Sequence, residues 1–259
     1  MIIQIACALV PLALILLFIR EKVDYNRLIK IAYYMTLSII GITVLGVVKA
    51  KIFPNGLGGN SGFVSKMIPI FMFMALPEEI FKYLTIKKMN AKNQRTLIKD
   101  IFITSTVFMF FENYAYSKNY FGVILFGNVI PTSVFRMFIP IHLLSQIIMA
   151  YFMIKAFNEK EKEKNNTGYL GLSLAFPIIV HTLYNTTIEV IESTGNVFFV
   201  PKMVCLLGII TYILTFIFIR KMLKKYNTDN QEIESVSITK TQLIVTVLFT
   251  IFWIYSYKM

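Results

Sequence analysis

Long apolar runs, each about the length of one membrane crossing, dominate this chain of 259 residues. A helix needs about 17–25 apolar residues to cross a hydrocarbon core of roughly 30 Å. Because lipid cannot satisfy open backbone hydrogen bonds, such runs predict helices. Eight runs qualify, at residues 2–19, 31–48, 62–86, 101–117, 133–156, 169–191, 199–219 and 241–257. We therefore predict an all-α polytopic membrane protein, one domain over 1–259, with about eight helices around a buried polar cavity.

Two further stretches do not fit this pattern. Residues 121–130 are apolar but too short to span, and we expect a partly buried or re-entrant loop there, which is tolerated only against other protein. Residues 220–240 are polar and predict a cytoplasmic linker before the last helix.

The basic residues predict the orientation. Of 26 Lys and Arg, 18 lie in alternate connections and 6 near the opposite side. Basic loops stay in the cytoplasm, so we expect the N-terminus and the C-terminus on the outer side of the membrane. We expect a multi-pass protein of a bacterial-type cell membrane. The formal net charge of +12 is then explained by helix ends facing the cytoplasm. We expect the lipid bilayer, and no nucleic acid, as a partner.

Glu78 and Glu79 lie side by side inside the third apolar run, with Lys82 one turn later. A charge at the bilayer centre costs at least about 2.5–3.5 kcal/mol and usually marks a functional site. Lys82 is at i+4 from Glu78 and i+3 from Glu79, so it can pair with either carboxylate. We predict that it pairs with Glu78, which leaves Glu79 as the candidate base.

Three more unusual residues, Glu112, His142 and His181, lie in three other runs. At about 1.5 Å of rise per residue, each is roughly 18–20 Å from the cytoplasmic helix end, and Glu79 is about 12 Å from it. The four helices can therefore bring these side chains into one layer. We predict a single buried polar site, with core motifs within residues 70–190.

The residue types leave several roles open. The two histidines are suited to oxyanion stabilisation, proton donation or metal binding, and Glu112 to acting as a ligand, a base or the partner of a histidine. Gln146 follows His142 by one turn and Asn185 follows His181 likewise, which suits partners that orient a ring. The alternatives are a structural ion cluster or a proton relay.

The motifs Glu78-Glu79-x-x-Lys82, Phe138-x-x-x-His142 and His181-x-x-x-Asn185 resemble the CPBP group of intramembrane proteases, which includes the CAAX prenyl endopeptidases and bacteriocin-processing proteins. The form Glu-Glu-x-x-Lys, with Phe111-Glu112-Asn113, looks more like its PrsW branch. PrsW-like proteins cleave membrane-anchored anti-sigma factors.

The resemblance also implies roles for the matching residues. In the CAAX branch, the positions matching Glu78 and His142 activate water, and those matching His181 and Asn185 bind the oxyanion. The CAAX pattern has a basic residue five positions after the first glutamate, where this chain has Tyr83.

We therefore predict an intramembrane endopeptidase acting on a membrane-anchored protein, with catalytic Glu78, Glu79, Glu112, His142, His181 and Asn185, supported by Lys82 and Gln146. We favour glutamate catalysis without a metal cofactor, because no H-E-x-x-H helix is present. A Zn²⁺ held by His142, His181 and Glu112 is the alternative. The competing functions are a proton-coupled transporter that uses the Glu and His residues as a relay, and a non-catalytic scaffold.

Overall fold

The computed structural model describes residues 24–53, 63–116, 122–125, 128–131, 141–194 and 236–256, with residue 13 and parts of 210–225. The helices are α1 (Tyr25–Ile52), α2 (Phe63–Ile70), α3 (Leu76–Met89), α4 (Gln94–Tyr116), α5 (Ile141–Glu161), α6 (Thr167–Thr194) and α7 (Lys240–Ser256). A π-helical segment, Phe71–Ala75, joins α2 to α3. The all-helical prediction holds for the described residues except for one short hairpin.

That hairpin pairs β1 (Gly122–Leu125) with β2 (Asn128–Pro131) in antiparallel register, Val123 opposite Ile130. It occupies the apolar stretch for which we expected a partly buried or re-entrant loop. Pairing satisfies part of the backbone of a segment too short to span a bilayer.

Three of the described helices are long and apolar enough to cross a membrane: Tyr25–Ile52, Ile141–Glu161 and Thr167–Glu189. The predicted span 62–86 coincides with the continuous helical run from α2 through the π-helical segment to α3. The predicted spans at 2–19 and 199–219 lie outside the described residues, apart from residue 13 and parts of 210–219. The count of eight stays a prediction.

The apolar core lies where α1, α3, α4 and α5 pack together, around Ile31, Met35, Ile98, Phe102 and Met149. Gly41 of α1 permits a close approach by α3, because a Cβ there would lie 3.0 Å from the ring of Phe81. Phe81 directly precedes Lys82, so this contact helps to set the depth and rotation of the carboxylate-bearing helix.

A buried ion pair ties together helix ends on the side that we expect to be cytoplasmic. Arg27 of α1 donates to both carboxylate oxygens of Asp100 on α4, each at 2.6 Å, and to the carbonyl of Met89 at 3.2 Å. Arg27 is 3% exposed and Asp100 is 0% exposed. A bidentate pair with this geometry fixes three helices relative to one another.

Candidate active site

The carboxylate pair lies at the start of α3, directly after the π-helical segment. Pro77 has no backbone N–H, so the regular i→i−4 bond cannot form at that position. The N–H of the preceding residue, Leu76, donates to the carbonyl of Phe71, five residues back, as in a π-helix. π-helical segments often occur at functional sites, and here the wider turn delivers Glu78 and Glu79 into the interior of the bundle, where both are buried.

Glu79 is surrounded by hydrogen-bond donors from three helices. Its Oε1 accepts from Lys82 Nζ at 2.7 Å and contacts His181 Nδ1 at 2.9 Å. Two neighbouring residues of α5 complete the environment. Gln146 Nε2 lies 3.3 Å from Oε2, and Ser145 Oγ lies 3.4 Å from Oε1 and 3.0 Å from the carbonyl oxygen of His142, so that these two acceptors share its one proton. A carboxylate surrounded by this many donors has most of its lone pairs occupied.

Glu78 is the opposite case. It is 6% exposed, and its Oε2 has no hydrogen-bond partner among the described residues. This oxygen lies 3.7 Å from His181 Nε2, which also has no hydrogen-bond partner among the described residues. A buried polar atom without a partner is costly. Two such atoms facing each other offer polar contacts to a small ligand.

His142 lies between a cation and a carboxylate. Its Nδ1 is 2.8 Å from Lys82 Nζ, and its Nε2 contacts Glu112. The ring packs edge-on against Phe108, with centroids 5.0 Å apart, and against His181, with centroids 4.9 Å apart. Both ring nitrogens of His142 are therefore engaged, whereas His181 has one engaged and one not.

The structure brings Glu78, Glu79, Glu112, His142 and His181 into one connected cluster, as the common depth predicts. Two predicted pairings are wrong. Lys82 pairs with Glu79 and not with Glu78, because the i+3 position places its ammonium on the face shared with α5. Gln146 donates to Glu79, so it does not orient His142.

Asn185 lies one turn beyond His181, is 5% exposed, and has a side-chain oxygen and nitrogen without described partners. Gln146 Oε1 and Asn113 Nδ2 are likewise without described partners. These amides can bind a polar ligand through a carbonyl oxygen or an N–H.

Sequence reasoning did not find Ser145 and Ser105. Ser105 donates to the carbonyl of His142 at 3.0 Å and so holds the first turn of α5 against α4. Ser145 follows His142 by three residues, and that helical spacing on the motif-bearing face is the signal that could have identified it.

Three carboxylates, those of Glu78, Glu79 and Glu112, belong to the site, and the Lys82 ammonium lies 2.7 Å from Glu79. Burying an ionised carboxylate is expensive unless it is paired, so this ion pair stabilises Glu79 in the interior of the bundle.

A comparison with known protein families identifies the family of this chain. Residues 30–219 match the model described as PrsW family intramembrane metalloprotease. This chain belongs to the PrsW family. No curated protein and no solved structure matches the chain. As a PrsW family member it is an intramembrane protease, a hydrolase that acts on membrane-protein substrates within the bilayer.

The match confirms the PrsW part of the resemblance and corrects the rest. The CPBP group, with the CAAX endopeptidases, is a different family. Roles carried over from the CAAX branch to Glu78, His142, His181 and Asn185 therefore have no support from this match and stand as proposals.

The family description also implies a metal, and the buried residues fit one in donor type and number. Glu78, His142 and His181 offer donor atoms within 4.8 Å of one another, and two histidines with a glutamate are a known zinc set. The 3.7 Å between Glu78 Oε2 and His181 Nε2 is close to the roughly 3.3–3.5 Å expected for two ligands of one tetrahedral ion.

Two details qualify this fit. The donor set contains Glu78 where we expected Glu112, because the Glu112 carboxylate contacts His142 instead. His142 would also have to release either Lys82 or Glu112 in order to bind a metal.

Proposed function

We propose that this PrsW protease hydrolyses a peptide bond of a single-span, membrane-anchored protein, with Glu78 as the carboxylate that activates the attacking water. One observation carries this assignment. Glu79 has its oxygens engaged by Lys82, His181, Ser145 and Gln146, whereas Glu78 keeps a buried oxygen without a described partner. The base must have a free lone pair within reach of water, and within the pair Glu78 is the carboxylate with an oxygen that no described donor contacts.

The reaction then proceeds in two proton transfers through Glu78. Glu78 takes a proton from water as the water oxygen bonds to the scissile carbonyl carbon. The carbonyl oxygen becomes an oxyanion, and the side-chain N–H of Asn185, which has no described partner, donates to it. Glu78 then returns its proton to the amide nitrogen as the C–N bond breaks, releasing an amine and a carboxylic acid.

The other residues hold the site in shape. Lys82 bridges Glu79 and His142, and it lies 4.5 Å from the centroid of the Phe108 ring. Glu112 holds the far side of the His142 ring. These contacts connect α3, α4 and α5, so a shift of one helix would displace the side chains on the other two. Catalysis by electrostatic stabilisation requires charged and polar groups that are fixed in place before the reaction.

A metal-dependent version of the same site is the alternative, because the family description names one and the donors fit it. Glu78 and His181, with His142 after release of a partner, would hold a Zn²⁺. When bound, that ion lowers the pKa of a coordinated water and polarises the scissile carbonyl. We keep metal-independent glutamate catalysis as the prediction to be tested.

The substrate must reach a site that is almost fully enclosed, and we infer that it enters from the bilayer between α2 and α6. An apolar groove of about 400 Å³ lies there, lined by Met67, Ile68, Phe71, Met72, Ile179, Thr182 and Leu183. Thr182 directly follows His181, so the groove is at the depth of the site on the adjacent face of α6. Its walls suit the apolar helix of a membrane-anchored substrate, and an anti-sigma factor of the kind implied by the resemblance has that form.

Cleavage of candidate single-span substrates by the purified protein tests the proposal. Glu78→Gln should lower the rate about 10²–10⁴-fold, the usual effect of losing a general base. Asn185→Ala should lower kcat by about 10²–10³ with little change in KM. Glu161→Gln, a matched change of an exposed carboxylate at the end of α5, should cleave like the wild type.

Wild-type cleavage by Glu78→Gln would exclude this carboxylate as the base. If the wild type cleaves nothing but carries out proton-coupled transport, and Glu78→Gln loses that transport, the transporter hypothesis would be favoured.

A bulky residue in the groove, Leu183→Trp, should reduce cleavage, whereas Val44→Trp on the exposed face of α1 should not. Equal cleavage by both tryptophan variants would reject the groove as the entrance.

A further inference from the structure

We propose that Glu79 and Lys82 fix the two histidines in opposite tautomers. In this arrangement His181 turns an unprotonated Nε2 toward Glu78, and His142 turns a protonated Nε2 toward Glu112. The inference rests on the proposed function for its catalytic meaning, but its evidence is the hydrogen-bond geometry alone.

The tautomer of His142 follows from Lys82. An ammonium donates hydrogen bonds and cannot accept them, and Lys82 Nζ lies 2.8 Å from His142 Nδ1. Nδ1 must therefore supply the lone pair. In the neutral ring the proton is then on Nε2, where the Glu112 carboxylate accepts it. A doubly protonated ring would point an N–H at the ammonium.

The tautomer of His181 follows from Glu79, and it is the opposite of the His142 tautomer. The Glu79 oxygen that already accepts from Lys82 lies 2.9 Å from His181 Nδ1. An ionised carboxylate only accepts, so Nδ1 carries the proton and Nε2 of the neutral ring has the lone pair. The 3.7 Å to Glu78 Oε2 agrees, because an N–H aimed at a carboxylate would close to about 2.7–2.9 Å.

Two electron-pair donors, Glu78 Oε2 and His181 Nε2, thus face one another in a buried place. What binds between them must accept electron pairs, either a water molecule through its hydrogens or a divalent cation. His181 then has its Nδ1 proton held by Glu79 and no proton on Nε2, so it has none to give an oxyanion, and the oxyanion role that the CAAX comparison implies for it falls to Asn185. Glu79 is accordingly a positioning residue that acts through His181.

Nitrogen-15 NMR of protein labelled only at histidine tests this directly, because the chain has 2 histidines. Protonated, unprotonated and metal-bound ring nitrogens resonate in separate regions. The His142→Gln variant assigns the two rings. We expect His181 with Nδ1 protonated and Nε2 not, and His142 with the reverse, in protein stripped of metal by a chelator. If Zn²⁺ is then added, a shift of the His181 Nε2 signal, with or without a shift of His142, identifies a cation site, and an unchanged spectrum identifies a water site.

Glu79→Gln removes the carboxylate that holds Nδ1–H, so a population of His181 with protonated Nε2 should appear. Ser145→Ala is the matched control, since it removes a hydroxyl beside Glu79 and leaves the carboxylate in place. A wild-type His181 protonated on both nitrogens, or on Nε2 alone, would overturn the proposal even if Glu79→Gln failed to fold. Because the spectrum does not depend on turnover, an inactive wild type would count against the proposed function and not against the tautomers.

Discussion

The two adjacent glutamates should respond differently to the same change, Glu→Gln, and the structure gives the size of each effect. Glu78 Oε2 has no described partner, so removing its charge breaks little and should leave stability close to that of the wild type. The loss should appear in the rate, about 10²–10⁴-fold, which is roughly 3–5 kcal/mol of transition-state stabilisation.

Glu79→Gln should act mainly on stability. Both Glu79 and Lys82 have side chains 0% exposed, at 2.7 Å from each other. Removing one partner of a buried pair typically costs about 3–5 kcal/mol, because the other charge stays buried without compensation. The Gln side chain keeps one accepting oxygen, so we expect the lower end, about 3 kcal/mol, or a fall in Tm of roughly 6–12 °C.

The assay is parallel measurement of thermal unfolding in detergent and of substrate cleavage at a temperature where all variants are folded. Glu161→Gln serves as the control in both measurements. A Glu78→Gln protein with a markedly lower Tm and near-normal cleavage would refute the reasoning. So would a Glu79→Gln protein that keeps its Tm and loses all cleavage, since Glu79 would then be the base.

Three further predictions concern the metal, the ion pair between Arg27 and Asp100, and the orientation in the membrane. A chelator should leave cleavage largely intact; complete loss that Zn²⁺ alone restores would instead make the three buried donors metal ligands. Arg27→Met should destabilise the fold by about 3–5 kcal/mol, because the fully buried Asp100 loses its bidentate partner. The double variant Arg27→Met/Asp100→Leu should recover part of that loss, and no recovery in a Tm measurement would argue against the ion pair. Cysteines introduced at Lys92 and Lys162 should be labelled from the cytoplasm only, and labelling of either from outside would overturn the predicted orientation.

Helix formation and the level of the site were readable from the sequence. Apolar runs of membrane-crossing length require helices because no other single-segment structure satisfies the backbone in lipid. The fixed rise per residue then places Glu112, His142 and His181 at one depth. Depth along a helix is a local quantity, so it needs no knowledge of which helices are neighbours.

Only the tertiary structure decided which contacts each carboxylate of the site makes. Lys82 is within reach of both carboxylates along its own helix, and sequence spacing favoured the wrong one. Ser145 and Gln146 of α5 lie against Glu79, and His181 of α6 contacts the same carboxylate. Contacts from two other helices therefore distinguish Glu79 from Glu78. Arg27 and Asp100 are 73 residues apart, so their pairing likewise depends on which helices are neighbours. Such choices depend on rotation and contact between helices, which hydropathy along one chain does not encode.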